Sequence, residues 1–189
     1  DHFASAYFET YGLPTITTHA SNNYGPFQFP EKLLPLALMR ALANEPVPLY
    51  GDGSNVRDWL HVDDHARGLQ LVMAAGTPGS TYLMGGDNEL TNASVLDALL
   101  GVLNELAPGE RDYRELITFV TDRPGHDQRY AVDSSKAERE LGWRKLVPLE
   151  EGLRSTVEWY LANQAWVDAI RRERYDLGRL GTLQQTSSA

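Results

Sequence analysis

Four short stretches of this 189-residue chain combine residue types that hold or move charge. The run Asp122-Arg123-Pro124-Gly125-His126-Asp127 directly follows a β-branched, strand-like segment. In open α/β sheets, ligands bind at strand ends of this kind. An arginine there offers a planar fork that matches phosphate or carboxylate, and Pro124 and Gly125 fix the loop's shape. Read as structure alone, the run is a surface turn with a local Asp–Arg pair. A second arginine, Arg57, stands in Arg57-Asp58-Trp59 after the tight turn Gly51-Asp52-Gly53-Ser54. It is either a second anion ligand or a strand arginine paired with an acid. Asn92 falls at a helix start, as N-cap or first helical residue, with Thr91 competing for the cap. Free N–H groups at such an end attract anions.

The segment His61-Val62-Asp63-Asp64-His65 invites a metal reading, since histidines four apart share a helix face. Here His61 ends a strand and His65 lies on the next helix, so the spacing argument fails. Asp63 reads instead as the helix cap. No metal site is expected. Tyr24, Tyr50 and Trp59 read as core or rim aromatics, and Trp143, Trp159 and Trp166 as packing residues.

What is missing narrows the chemistry further. Neither Gly-x-Gly-x-x-Gly nor Gly-x-x-Gly-x-x-Gly occurs, so this chain lacks the usual dinucleotide pyrophosphate turn. Tyr-x-x-x-Lys does not occur either. With no cysteine there is no thiol nucleophile, disulfide or iron–sulfur ligand, which fits a reducing compartment. The net charge of −9 argues against a broad nucleic-acid surface. The longest strictly apolar run, Leu33 to Met39, is far shorter than the ~20 residues of a membrane helix. No signal peptide is read. From its own residues, the chain is a binding lobe for an anionic small molecule without a visible catalytic engine.

Positioning those residues requires alternating helices and short strands, hence an α/β fold. Periodicity predicts helices over 1–11, 31–44, 63–75, 91–106, 134–141 and 149–163, the last continuing toward 174. Strands are predicted over 15–20, 47–50, 56–62, 81–84 and 117–120. Ser21 to Pro26 and Asp122 to Tyr130 read as turn and loop. The 91–106 helix should bury Val95, Leu96, Leu99, Leu100, Leu103 and Leu106 on one face. The first helix starts at Asp1 without a cap, which reads as the back half of a longer helix in a longer protein. Beyond Gly178 the chain reads as a frayed tail.

Taken together, the blocks resemble the dTDP-glucose 4,6-dehydratases, members of the extended short-chain dehydrogenase/reductases. The resemblance rests on Ser21-Asn22-Asn23-Tyr24-Gly25-Pro26 with Phe29-Pro30-Glu31-Lys32-Leu33, and on Gly51-x-Gly53 with Val56 through His65. Asp122 through Asp127 with Arg129-Tyr130, Glu140-Leu141-Gly142-Trp143 and Thr156 through Tyr160 complete it. Single blocks are shared with many nucleotide-sugar epimerases and decarboxylases; the combination is specific. It implies the carboxyl-terminal portion of an extended Rossmann-type dehydratase, with the last sheet strands plus a smaller α/β substrate-binding domain. Residues 1–25 would end the NAD-binding domain. Residues 26–175 would form mainly the nucleotide-sugar-binding domain with returning Rossmann elements, and 176–189 a flexible tail.

The family oxidises the sugar at C4 with NAD, eliminates water across C5 and C6, and returns the hydride to C6. Its catalytic Tyr-x-x-x-Lys, acid pair and glycine-rich turn would all precede Asp1, so no catalytic residue is expected here. The resemblance makes Asn22, Lys32 and Leu33 substrate contacts and Asn23 a contact to the cofactor. Pro48, Leu49 and Tyr50 would line the thymine and nucleoside. Arg57 and Asn92 would lie near the diphosphate and ribose, and Asp122, Arg123, Pro124, Gly125 and His126 would close over the nucleotide. It also implies a dTDP-sugar substrate, a cytoplasmic location, and a homodimer through the first helix. An epimerase or decarboxylase of the same family, or a non-catalytic nucleotide-sugar-binding module, stays open beside it.

Overall fold

A computed structural model describes residues 1–173 of the chain. The tail expected over 176–189, and the end of the predicted 26–175 domain, lie outside the described residues. Helix α1 (His2–Tyr11) ends at Gly12, whose φ of 67° admits the left-handed turn that returns the Gly12 and Leu13 N–H groups to Phe8 and Tyr7. Strand β1 (Thr17–Ala20) then pairs in parallel with β5 (Thr81–Met84).

The first departure from expectation follows at once. Asn22–Tyr24 is a strand, β2, and not a turn. Its polar residues carry turn signals, but parallel pairing with β4 (Val56–His61) overrides them. The bend falls later, around Gly25. Helix α2 (Leu33–Leu42) is shorter at both ends than predicted, with Pro35 still in its first turn. Strand β3 (Val47–Tyr50) buries Val47 and Leu49 and leaves Pro48 and Tyr50 half-buried on its other face, pairing in parallel with β7 (Ile117–Val120).

Helix α3 (Val62–Ala75) is capped by His61, not Asp63: the Asp63 N–H donates to His61 Nδ1, so the imidazole does the work of an Asn or Asp cap. Asp63 and Asp64 sit in the first turn, favourable to the helix dipole. Besides β2, three elements were not foreseen. These are β6 (Glu89–Thr91), antiparallel to β4; a 3-10 turn over Tyr113–Leu116; and β8 (Arg129–Tyr130), which pairs with the start of β4 inside the predicted loop.

Helix α4 (Asn92–Leu106) buries Val95, Leu96, Leu99, Leu100 and Leu103 as its periodicity predicts, each contributing about 2 kcal/mol of apolar burial. Leu106 is partly buried beside them. Helix α5 (Ser135–Leu141) ends at Gly142, with φ 65°. Helix α6 (Leu149–Ala162) stops at Asn163, and α7 (Gln164–Glu173) is a separate helix rather than its continuation.

Two apolar clusters organise these elements. The larger gathers α2, α4 and α6 against Leu49, Tyr24 and Trp59. The smaller joins Leu60, Val72, Tyr82, Met84, Ala137 and Trp143, seating α3 and α5 on the β1–β5 pair. A buried polar joint ties α3 to the chain beyond α5. The Asp64 carboxylate accepts the Leu146 and Val147 N–H groups and pairs with Arg67, and Trp143 Nε1 donates to the Asp64 carbonyl.

Candidate functional site

Main-chain contacts tie the 122–127 loop and the start of α4 to β4 around Arg57, while the Arg123 side chain stays exposed on the loop and the His61–His65 stretch lies at the far end of β4. The turn before it needs glycine twice. Gly51 and Gly53 have φ of 59° and 74°, and a Cβ on Gly53 would press into Leu49 and Ala93. The Ser54 N–H closes the turn on Asp52 Oδ1 at 2.9 Å. The Gly51 N–H donates to the Val120 carbonyl, extending the β3–β7 ladder, so Asp122 lies against Gly51. At its other end the 122–127 loop is stapled to β4. The Asp127 carbonyl accepts Asn55 Nδ2 at 3.1 Å and Arg57 Nη2 at 2.8 Å, and the Gln128 carbonyl accepts the Val56 N–H at 2.8 Å. The Asn92 N–H donates to the Asn55 carbonyl, fixing the start of α4 to the same point.

Arg57 is the centre of this arrangement. It is 7% exposed, and its Nη1 donates to its neighbour's carbonyl at Val56, at 2.7 Å. Two of its five N–H donors meet carbonyls in these two bonds. No carboxylate forms an ion pair with it among the described residues. The adjacent Asp58 does not supply one, since its oxygens accept the Gly86 and Asn88 N–H groups. A guanidinium nine-tenths out of water without a counter-charge is costly unless an anion joins it.

Asn92 is buried as the first residue of α4, with Thr91 as the cap. The helix end is not open to an anion as expected. Its Asn92, Ala93 and Ser94 N–H groups are spent on the Asn55 and Gly53 carbonyls and on Thr91 Oγ1. The β4 approach and the glycine turn bring carbonyls to it, which the sequence alone does not reveal.

On the loop, His126 Nδ1 donates to Asp122 Oδ1 at 2.7 Å, and the Arg123 N–H donates to the same oxygen at 2.8 Å. The His126 hydrogen bond, with the Arg123 amide adding to it, holds the Asp122 carboxyl below the usual carboxylate range. Arg123, Pro124 and Gly125 are exposed, and no carboxylate pairs with the Arg123 guanidinium among the described residues.

The remaining predicted residues flank this point. By register, Asn22 lies opposite Trp59, which puts Asn22, Tyr24, Arg57, Trp59 and His61 on one face of the β2–β4 sheet. Asn23 is on the other face, where Nδ2 donates to the Ser21 carbonyl and Oδ1 accepts from His65 Nδ1 at 2.8 Å. Burial lowers the pKa of His65, and also that of His61 despite the pull of Asp63. Lys32 is exposed at the N-terminus of α2 with Nζ 2.6 Å from Glu31, and Leu33 is half-buried beside it. Pro48 and Tyr50 share the accessible face of β3. The Leu49 side chain is in the core, so only its backbone is offered to a ligand.

Sequence reasoning missed Asn55 and the Asp127 carbonyl. Asn55 carried a signal, an amide placed directly after a glycine turn. A carbonyl contact such as that of Asp127 has none.

The GDP-mannose 4,6 dehydratase family profile matches residues 1–156. A probable dTDP-glucose 4,6-dehydratase of Sinorhizobium fredii is 53% identical over 185 residues, which cover 98% of this chain and 53% of that protein. The crystal structure of dTDP-glucose 4,6-dehydratase from Bacillus anthracis in complex with NAD superposes with a TM-score of 0.79 at 46% identity, covering 88% of this chain and 50% of that one. That of the Streptomyces venezuelae enzyme, with NAD and dTDP bound, gives 0.80 at 48% identity, over 86% and 48%. The chain therefore spans about half the length of the relatives it matches.

Proposed function

The chain belongs to the GDP-mannose 4,6 dehydratase family, and from that premise we propose that it is the nucleotide-sugar-binding half of an NAD-dependent dTDP-glucose 4,6-dehydratase. One observation carries the reading: the buried Arg57 guanidinium, held by two carbonyls and paired with no carboxylate among the described residues, calls for an anion, which a diphosphate would supply. Asn92 stands beside it for the ribose, and Arg123 and His126 lie on the loop that closes over the nucleotide. Pro48 and Tyr50 supply an apolar and aromatic wall for the thymine. Asn22, Lys32 and Leu33 take the sugar.

When bound, NAD supplies the oxidant at C4 and returns the hydride at C6. This chain's own contribution to it is Asn23. With one amide hydrogen given to Ser21 and one lone pair to His65, Asn23 keeps one of each for the cofactor. The substrate face and the cofactor face of β2 are thus served by adjacent residues. Residues 1–25, with the smaller core cluster that returns α3, β5 and α5 to them, belong with the NAD-binding domain, and the larger cluster carries the nucleotide sugar. The exposed Phe3, Tyr7 and Tyr11 of α1 form the homodimer contact. We place the enzyme in the cytoplasm, where a chain such as these 189 residues, free of cysteine, needs no disulfide; no helix among the described residues is long and apolar enough to cross a membrane.

Calorimetric titration with dTDP, UDP and GDP tests the reading. Tight binding of dTDP over the other two is expected. A preference for UDP points to an epimerase or decarboxylase, and no nucleotide binding sinks the proposal. With dTDP-glucose and NAD, the 189-residue chain alone is expected to form no 4-keto sugar, and formation of that product would overturn the division of labour.

A further inference from the structure

The loop between β2 and α2 is shaped by an aromatic group that no part of the nucleotide site requires. Phe27 has φ of 60°, a conformation bulky residues rarely adopt, and lies two residues after Gly25, at φ 139°. Its ring is not sunk in the core, being 66% exposed. It packs instead against Trp159 of α6 at 4.4 Å between centroids and against Trp166 of α7 at 5.8 Å, and the two tryptophans meet at 5.1 Å.

The break between α6 and α7 aims Trp166 at this group. Asn163 Nδ2 donates to the Trp159 carbonyl, and the Asn163 carbonyl accepts the Trp166 and Val167 N–H groups. The next loop residue is gripped from both sides. The Gln28 carbonyl accepts the Tyr160 hydroxyl at 2.5 Å, and Gln28 Nε2 donates to the Asn23 carbonyl at 2.7 Å. The Lys32 N–H in turn donates to the Phe29 carbonyl. Strain of this kind persists where surrounding contacts over-determine it, and it gathers at ligand clamps.

We propose that Phe27, clamped by Trp159 and Trp166, is a positioning residue that sets the Asn22–Lys32 segment for the sugar end of the substrate. The proposal rests on the dehydratase reading above. The clamp acts at the sugar end alone, because the nucleotide end is organised by Arg57, Asn92 and the 122–127 loop, which are tied together independently of α7.

The test uses the full-length, NAD-loaded enzyme of which this chain is proposed to be half, since the 189 residues alone are expected not to turn over, and it separates the two ends. Phe27→Gly removes the ring and accepts the same φ. It is expected to lower kcat/KM for dTDP-glucose by about tenfold or more, while the inhibition constant of dTDP stays within about twofold and Phe27→Tyr restores wild-type kinetics. Unchanged kcat/KM in Phe27→Gly overturns the proposal. A parallel loss of dTDP affinity and thermal stability also overturns it, because the group would then be merely structural. If Phe27→Gly does not fold, Trp166→Leu is read by the same ratio. Should the wild-type protein fail to bind dTDP at all, it is the dehydratase reading that falls, and the clamp proposal with it.

Discussion

Replacing Arg57 by methionine should weaken nucleotide binding without weakening the fold. Methionine keeps much of the arginine stem's volume and loses the charge. The ligand-free protein gives up the bonds to the Val56 and Asp127 carbonyls, at about 0.5–1.5 kcal/mol each. The Asp127 carbonyl keeps Asn55 as a partner, which limits that loss. Against it stands the desolvation of a buried cation with no counter-charge among the described residues, several kcal/mol in its own right. The two effects nearly cancel, and the melting temperature of the ligand-free chain is expected to stay within about 4 °C of wild type or to rise.

With nucleotide the balance differs. The variant loses charge-assisted hydrogen bonds to phosphate worth about 1.5–3 kcal/mol, so the Kd for dTDP rises about 10- to 100-fold. Arg57→Lys should fall between, because a compact ammonium keeps the charge but lacks the planar fork that spans the two carbonyls and leaves further donors for a phosphate. Calorimetry with dTDP and thermal melts with and without it read both quantities. A Kd unchanged in Arg57→Met, or a melt lowered by about 10 °C with no ligand present, refutes the claim that this arginine is held in reserve for an anion.

Acid should destabilise the fold through the buried His61 and the half-buried His65. His61 and His65 have pKa values lowered by burial from the ordinary 6.5, so below that pH the unfolded chain binds protons that the folded chain refuses. Stability is full above pH 6.5 and falls as pH drops beneath it; His65→Gln should make that fall shallower, and a melting temperature that rises on acidification contradicts the assignment. Gly86→Ala should cost several degrees of melting temperature, because its Cβ would meet the Trp59 carbonyl, a backbone atom that cannot swing aside; an unchanged melt would show that β4 yields there.

What periodicity governs, the sequence made readable. Five buried residues of α4 follow from spacing alone, as do the strands whose β-branched runs are flanked by glycine. What depends on a neighbour in space was not readable. Ser21-Asn22-Asn23-Tyr24 has the composition of a turn, and only the partner strand makes it β2. His61 caps α3 because its ring happens to lie where an Asn side chain would, and no preference table points to histidine. The α6–α7 break at Asn163 interrupts a pattern that could have continued. The residue types of the site were legible as candidates for binding an anion. Their convergence was not, because it runs through main-chain carbonyls at Val56, Asp127, Asn55 and Gly53. The same carbonyls closed the α4 terminus that residue types had marked as open.

On the proposed reading, the short strand β2 lets a chain of net charge −9 serve a diphosphate and a redox cofactor together. Surface charge acts only over a Debye length of about 8 Å in physiological salt, so the overall acidity does not decide what happens beside a desolvated guanidinium. Consecutive strand residues point to opposite faces about 3.3 Å apart along the chain. Asn22 therefore looks to the face of Arg57, and Asn23 to the face of His65. A helix or a flexible turn at this position would put adjacent residues at angles that do not separate two ligands cleanly. The pairing of Asn22 with Trp59 and Asn23 with Leu60 holds that alternation in register, and each face is then backed by its own core cluster. On the proposed reading, the sheet at this point is the partition between the sugar and the cofactor, and shifting β2 by one residue would exchange their contacts.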